Sequence, residues 1–98
     1  MTFELHFSKE AGAKLKDIKE NRGLAKRYKA VKKALKNLRQ NPRHPSLQTH
    51  PYSSLKGPNG EKVFEAYAEQ HTPAAYRIFF CYGSPKGKIM ILTIVPHP

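Results

Sequence analysis

The chain has 98 residues, enough for one domain with a single core and no staples. It carries 18 Lys and Arg against 7 Asp and Glu, a net charge of +11, and a single cysteine, Cys81. That balance predicts attraction to nucleic acid, anionic membranes or an acidic protein, while one cysteine excludes an internal disulfide framework and suits a reducing cytoplasm. No apolar run approaches the roughly 20 residues that span a bilayer, and residues 1–7 lack the basic start and continuous apolar core of a signal peptide. The expectation is one soluble, cytoplasmic domain over residues 1–98, with no membrane partner.

Phe3, Leu5 and Phe7 alternate with Glu4 and His6, the period of two of a half-buried strand. Ser8 then offers an N-cap, with Glu10 placed to complement the helix dipole. Ala11, Leu15 and Ile18 continue at helical spacing until Asn21-Arg22-Gly23. A second helix follows, in which Leu24, Tyr28, Val31, Leu35 and Leu38 form one apolar stripe that ends at Asn41-Pro42. Residues 42–60 hold four prolines and two glycines and read as a connecting loop, with a short edge strand around Leu47. Three strands are predicted after it, over 62–69, 75–82 and 88–95, joined by turns at Thr72-Pro73 and Gly83–Gly87. The expected fold is α+β, in the order β-α-α-β-β-β: an N-terminal strand and a helical hairpin packed on a small antiparallel sheet.

The charge divides the chain unevenly. Residues 8–41 carry twelve basic and three acidic side chains, and no acid occurs from 21 to 60. Lys29, Lys32, Lys33, Lys36 and Arg39 therefore lie on a helix with no counter-charge of its own. They are either an ordinary solvated face or contacts for an RNA backbone, and the second reading predicts strongly salt-dependent binding.

Arg77 interrupts the most apolar stretch, Tyr76-Arg77-Ile78-Phe79-Phe80. A guanidinium keeps its proton, and burying it alone costs several kcal/mol or more. It is paired inside the protein, or it waits for an anion. Centring the turns near Thr72 and Pro85 places Tyr67 opposite Arg77 on one side and Thr93 on the other, with Glu65 and Glu69 diagonal. The pairing reading is a cross-strand contact with Glu65 or Glu69; the functional reading is an anion pocket on the sheet face away from the helices.

Ser54-Leu55-Lys56-Gly57, the strand motif around Arg77, a terminal strand with a short polar tail and the basic charge, taken in this order, resemble the RelE/ParE superfamily of toxins from bacterial toxin–antitoxin modules. The resemblance spans nearly the whole chain. It implies a toxin neutralised by an acidic antitoxin, acting on the ribosome and its mRNA as an endoribonuclease that needs no metal or cofactor. On that reading Arg77 binds the scissile phosphate, His97 is the general acid or base, and Lys56 contacts RNA phosphate. A ParE-like inhibitor of DNA gyrase without RNase activity, and a non-catalytic nucleic-acid-binding module, are the alternatives.

Metal-free cleavage needs a base for the 2′-hydroxyl, a cation for the phosphorane and an acid for the 5′-oxygen, and yields a 2′,3′-cyclic phosphate. The family branch with a terminal histidine carries a glutamate base just before its Leu-Lys motif, where this chain has Ser53-Ser54. His50 and Glu65 are the residues left for that role. Each also has a plainer reading: His50 as a solvated loop residue, Glu65 as an ion-pair partner, and His97 as part of a frayed tail. The histidines lack metal-ligand spacing.

Overall fold

The computed structural model describes residues 2–70, 72–83 and 85–96. The elements run β1 (Glu4–Phe7), α1 (Lys9–Glu20), a single 3-10 turn at Arg22–Leu24, α2 (Ala25–Gln40), a second such turn at Pro45–Leu47, β2 (His50–Lys56), β3 (Lys62–Tyr67), β4 (Tyr76–Tyr82) and β5 (Lys88–Pro96). The fold class is α+β, as expected. The sheet is five-stranded in the order β1-β5-β4-β3-β2, and it is mixed, because β1 pairs with β5 in parallel.

Two readings of the loop are corrected. Leu47 belongs to a 3-10 turn and is buried, and the edge strand starts later, at His50. The alternation that flags a strand is missing there because β2 follows β3 regularly only at His50 and Pro51 and rejoins it at Lys56 opposite Lys62. The residues between leave the ladder, and Tyr52 sets its ring 4.7 Å from Phe79.

The core lies between the helices and one sheet face. Ile78 and Phe80 of β4, Ile89, Ile91 and Ile94 of β5 and Ala66 of β3 pack with Val31, Leu35 and Leu38 of α2 and Ala11 and Ile18 of α1. The β5 residues break the period of two once, between Ile91 and Ile94. Phe79 pairs with Thr93 while Phe80 pairs with Ile91, so Leu92 is an extra residue, a bulge that returns Ile94 to the core face. Ser8 is tied in beside this bulge: its N–H continues the β1–β5 ladder by donating to Ile91 O at 2.9 Å, and its Oγ donates to the bulged Leu92 O at 2.7 Å. The same Oγ caps α1 by accepting from Ala11 N–H at 2.9 Å.

The bulge also explains an error in register. Tyr67 lies opposite Arg77 as expected, but the residue on the other side is Val95, not Thr93. The turn before β5 shifts the pairing by one residue, to Tyr82 opposite Ile89, and the bulge shifts it by one more. Two slips of one restore the face, so Thr93 still shares the open side with Arg77.

Gly57 of the Leu-Lys-Gly motif has a structural cause. A Cβ there would lie 2.5 Å from Glu61 Oε1, in the turn where Gly57 N–H donates to Glu61 O. The backbone N–H groups of Glu61 itself and of Asn59 hold the Glu61 carboxyl below its ordinary value. A depressed folded-state pKa gives stability that is present above the unfolded value and is lost as pH falls through the folded one. Glu61→Gln is therefore expected to flatten the acid limb of the stability curve, read as urea midpoints from pH 7 to pH 3; an unchanged slope refutes this role. Ser8→Ala removes a cap and a bulge partner together and is expected to cost about 1–2 kcal/mol in the same measurement.

Candidate functional site

On the open face, β3 and β4 carry Glu65, Tyr67, Arg77, Phe79 and Cys81. Glu65 is the one buried charged residue among those described, and its side chain is 4% exposed. Burial at that level requires partners, and it has two. Glu65 Oε2 accepts from Arg77 Nη1, and Oε1 lies 2.6 Å from His50 Nε2. His50 stands opposite Glu65 in the β2–β3 ladder, and Arg77 reaches it diagonally from the position opposite Tyr67. The structure thus brings together three of the residues singled out from the sequence: His50, Glu65 and Arg77. Glu69, the other expected partner of Arg77, is taken elsewhere: it accepts from Tyr76 N–H at 3.1 Å and pairs with Arg27 at 3.4 Å.

The second ring nitrogen of His50, Nδ1, is 2.9 Å from Gln48 O, an acceptor, so Nδ1 carries a proton. Two heteroatoms 2.6 Å apart need a proton between them, so a further one lies between Nε2 and Glu65 Oε1. Both ring nitrogens of the half-exposed His50 are thus engaged, Nδ1 with Gln48 O and Nε2 with Glu65 Oε1. Arg77 is 12% exposed, its guanidinium lies 5.1 Å over the Phe79 ring, and its Nε has no partner among the described residues. Thr93 Oγ1 on the same face is also buried without one.

Arg77 forms part of the wall of a groove of about 410 Å³ that includes Tyr67, Gln48, Gln70 and Thr72. Arg27 builds its rim from behind, with Nη1 and Nη2 donating to Ala74 O at 2.6 Å and Pro73 O at 3.0 Å. One residue of the basic helix is therefore committed to a turn. Lys29, Lys32, Lys33, Lys36 and Arg39 are exposed on the helix layer, across the sheet from His50, Glu65 and Arg77. Of these, Lys33 lines a second groove that shares Tyr67 and Gln70 with the first. Lys56 is exposed where β2 ends. His97 lies outside the described residues. Burial pushes the Cys81 thiol up, which fits an inert residue.

No family model and no curated protein matches the sequence. Solved structures do match in shape. A YoeB/ParE toxin from Agrobacterium tumefaciens superposes with a TM-score of 0.70 at 10% identity, over 97% of this chain and 99% of that one. The YoeB dimer from Staphylococcus aureus gives 0.67 at 16%, over 100% of each chain, and the archaeal RelE in the RelE–RelB complex from Pyrococcus horikoshii OT3 gives 0.65 at 16%, over 98% and 96%. This chain has the RelE-like toxin fold. Its motif-level resemblance to those toxins therefore extends to the whole architecture, both helices and all five strands of the mixed sheet.

Two features of the candidate site escaped the sequence. Gln48 sits in the left-handed turn before β2 and Tyr52 where β2 leaves the ladder, and neither place has a periodic signal. Arg27 is one of the seven Lys and Arg residues of α2, and nothing in the sequence but its position near the helix start sets it apart.

The buried pair makes a stability prediction. Arg77→Ala leaves Glu65 buried with His50 alone and is expected to destabilise by about 3–5 kcal/mol, whereas Arg77→Met combined with Glu65→Leu is expected to be near neutral. Chemical denaturation of the wild type, these two variants and the single variants Arg77→Met and Glu65→Leu measures this, and additive losses in the double variant would sink the pairing.

Proposed function

We propose that the chain is the toxin of a toxin–antitoxin module and acts as a ribosome-dependent endonuclease on mRNA. The observation that carries this reading is the His50–Glu65–Arg77 cluster, set on the open face of a RelE-like fold beside a groove. The glutamate missing before Leu55-Lys56 has a substitute in space: Glu65, on the neighbouring strand, supplies a carboxylate behind His50.

In this mechanism His97, the general acid or base that the resemblance implies, takes the 2′-hydroxyl proton, because both His50 nitrogens are engaged with Gln48 O and Glu65. The 2′-oxygen attacks the adjacent phosphorus, the bond from phosphorus to the 5′-oxygen breaks, and that oxygen takes a proton, leaving a 2′,3′-cyclic phosphate. The acid is the His50–Glu65 pair, which gives up the proton held between Nε2 and Oε1. Arg77 offers Nη2 to the phosphorane, since Glu65 occupies Nη1 and Nε is buried. No step requires a metal. Exposed Lys29, Lys32, Lys33, Lys36, Arg39 and Lys56 supply sequence-independent contacts to ribosomal RNA and message.

The antitoxin expected for such a toxin is acidic, and the Pyrococcus relative was solved with its RelB. A seat for it exists at the free edge of β1, where Phe3, Leu5, Phe7 and Arg39 line a groove and Phe7 is 40% exposed.

One observation favours a ParE-like gyrase inhibitor: Glu65 already neutralises Arg77, as a purely structural arginine requires. His50 separates the two readings better than Arg77, because its ring is half-exposed and its loss leaves the Glu65–Arg77 pair intact. In a translating extract with mRNA ends mapped, His50→Gln is expected to slow cutting by about 10²–10⁴-fold while the protein stays folded. Uncut mRNA with wild-type protein, together with DNA damage on induction, would transfer the assignment to gyrase; neither effect would leave a binding module.

A further inference from the structure

The groove beside Arg77 holds more hydrogen-bonding chemistry than a phosphate uses. Gln70 is spent: its Nε2 donates to Ser46 O and its Oε1 accepts from Gln48 Nε2 at 3.3 Å. Gln48 is not. Among the described residues, its Oε1 and second N–H have no other protein partner. Gln70 fixes the orientation of this free amide edge.

The backbone of Gln48 is also unusual. At φ 47° and ψ 42° it occupies the left-handed region, which is unfavourable for a residue with a Cβ. That conformation serves two contacts at the site, since Gln48 O holds His50 Nδ1 while its side chain stands in the groove. Tyr67, opposite Arg77, adds an aromatic ring to the same wall.

An amide with a free acceptor and a free donor matches the N6–H and N7 of adenine. An exposed aromatic ring is what single-stranded nucleic-acid readers use to stack a base. Arg77, on the wall of the same groove, supplies a cation for one phosphate. We propose that this groove is a nucleobase subsite, in which Tyr67 stacks and Gln48 reads an adenine of single-stranded RNA whose neighbouring phosphate lies on Arg77. The choice of RNA rests on the function proposed above; the base reading is tested by binding alone.

The probes are four RNA trinucleotides with A, C, G or U at the centre, each made uncleavable by 2′-deoxy substitution, titrated at fixed low salt and followed by NMR shifts. Wild-type protein is expected to bind the adenine trimer about tenfold more tightly than the others. Gln48→Ala, at an exposed position, removes that preference. Gln48→Glu moves it to cytosine, whose N4 amino group a carboxylate accepts from. Tyr67→Leu, checked for folding by circular dichroism, weakens all four. Equal binding of the four trimers by wild-type protein, or an adenine preference untouched by both Gln48 variants, overturns the subsite. Adenine preference in a protein that cuts no mRNA keeps the subsite and removes the endonuclease; cutting with flat binding does the reverse.

Discussion

A carboxylate is buried in the middle of this sheet, and much of the open face is arranged around it. Glu65 is stable there only because Arg77 reaches it from β4 and His50 from β2, so one charge ties together three adjacent strands. The arrangement sets the register of both neighbours, since a slip of one residue would turn Arg77 or His50 into the opposite face and leave Glu65 unpaired. It also explains why an arginine is tolerated in so apolar a strand. The same contacts have a chemical side. A half-exposed imidazole held against a buried carboxylate beside a guanidinium is the arrangement on which the proposed acid–base chemistry rests.

Much of this was legible in the sequence. The stripe Leu24, Tyr28, Val31, Leu35, Leu38 and the cap at Ser8 mark the helices, because periodicity and capping are local signals. Arg77 and Glu65 could be placed on one face because counting back from Thr72 gives the true pairing of β3 with β4. The same counting failed between β4 and β5, where the pairing starts one residue off, at Tyr82 opposite Ile89, and the Leu92 bulge adds one more. Neither has a sequence mark of its own: Leu92 is one more apolar residue in a run of them. β2 was hidden for a related reason. Its ladder is broken, its composition is Pro- and Ser-rich, and it is held by tertiary contacts such as Tyr52 on Phe79 rather than by propensity.

The cations divide by role in a way that composition cannot show. Arg27 and Arg77 satisfy acceptors inside the protein, and each lies over an aromatic ring, Tyr76 and Phe79 respectively. The lysines of α2 stay in water. Arginine's planar fork suits it to carbonyls and carboxylates at partly buried positions, whereas lysine's strongly hydrated point charge suits an open face. The excess of +11 is thus mostly an exterior property, and it resides on the layer opposite the buried carboxylate.

The parallel pairing of β1 with β5 imposes an order on folding. Ser8 and Leu92 are 84 positions apart, yet their bond joins the start of α1 to the bulge of β5. β5 follows every other strand in the chain but sits between β1 and β4. During synthesis the helical hairpin and the β2–β3–β4 meander have their contacts available early, while β1 has no neighbour until residues 88–96 emerge. Closing so long a loop is slow relative to local pairing. The nascent chain therefore stays an open, incomplete sheet until its translation has passed β5, and the ribosome that makes this protein meets its finished form only after that strand is out.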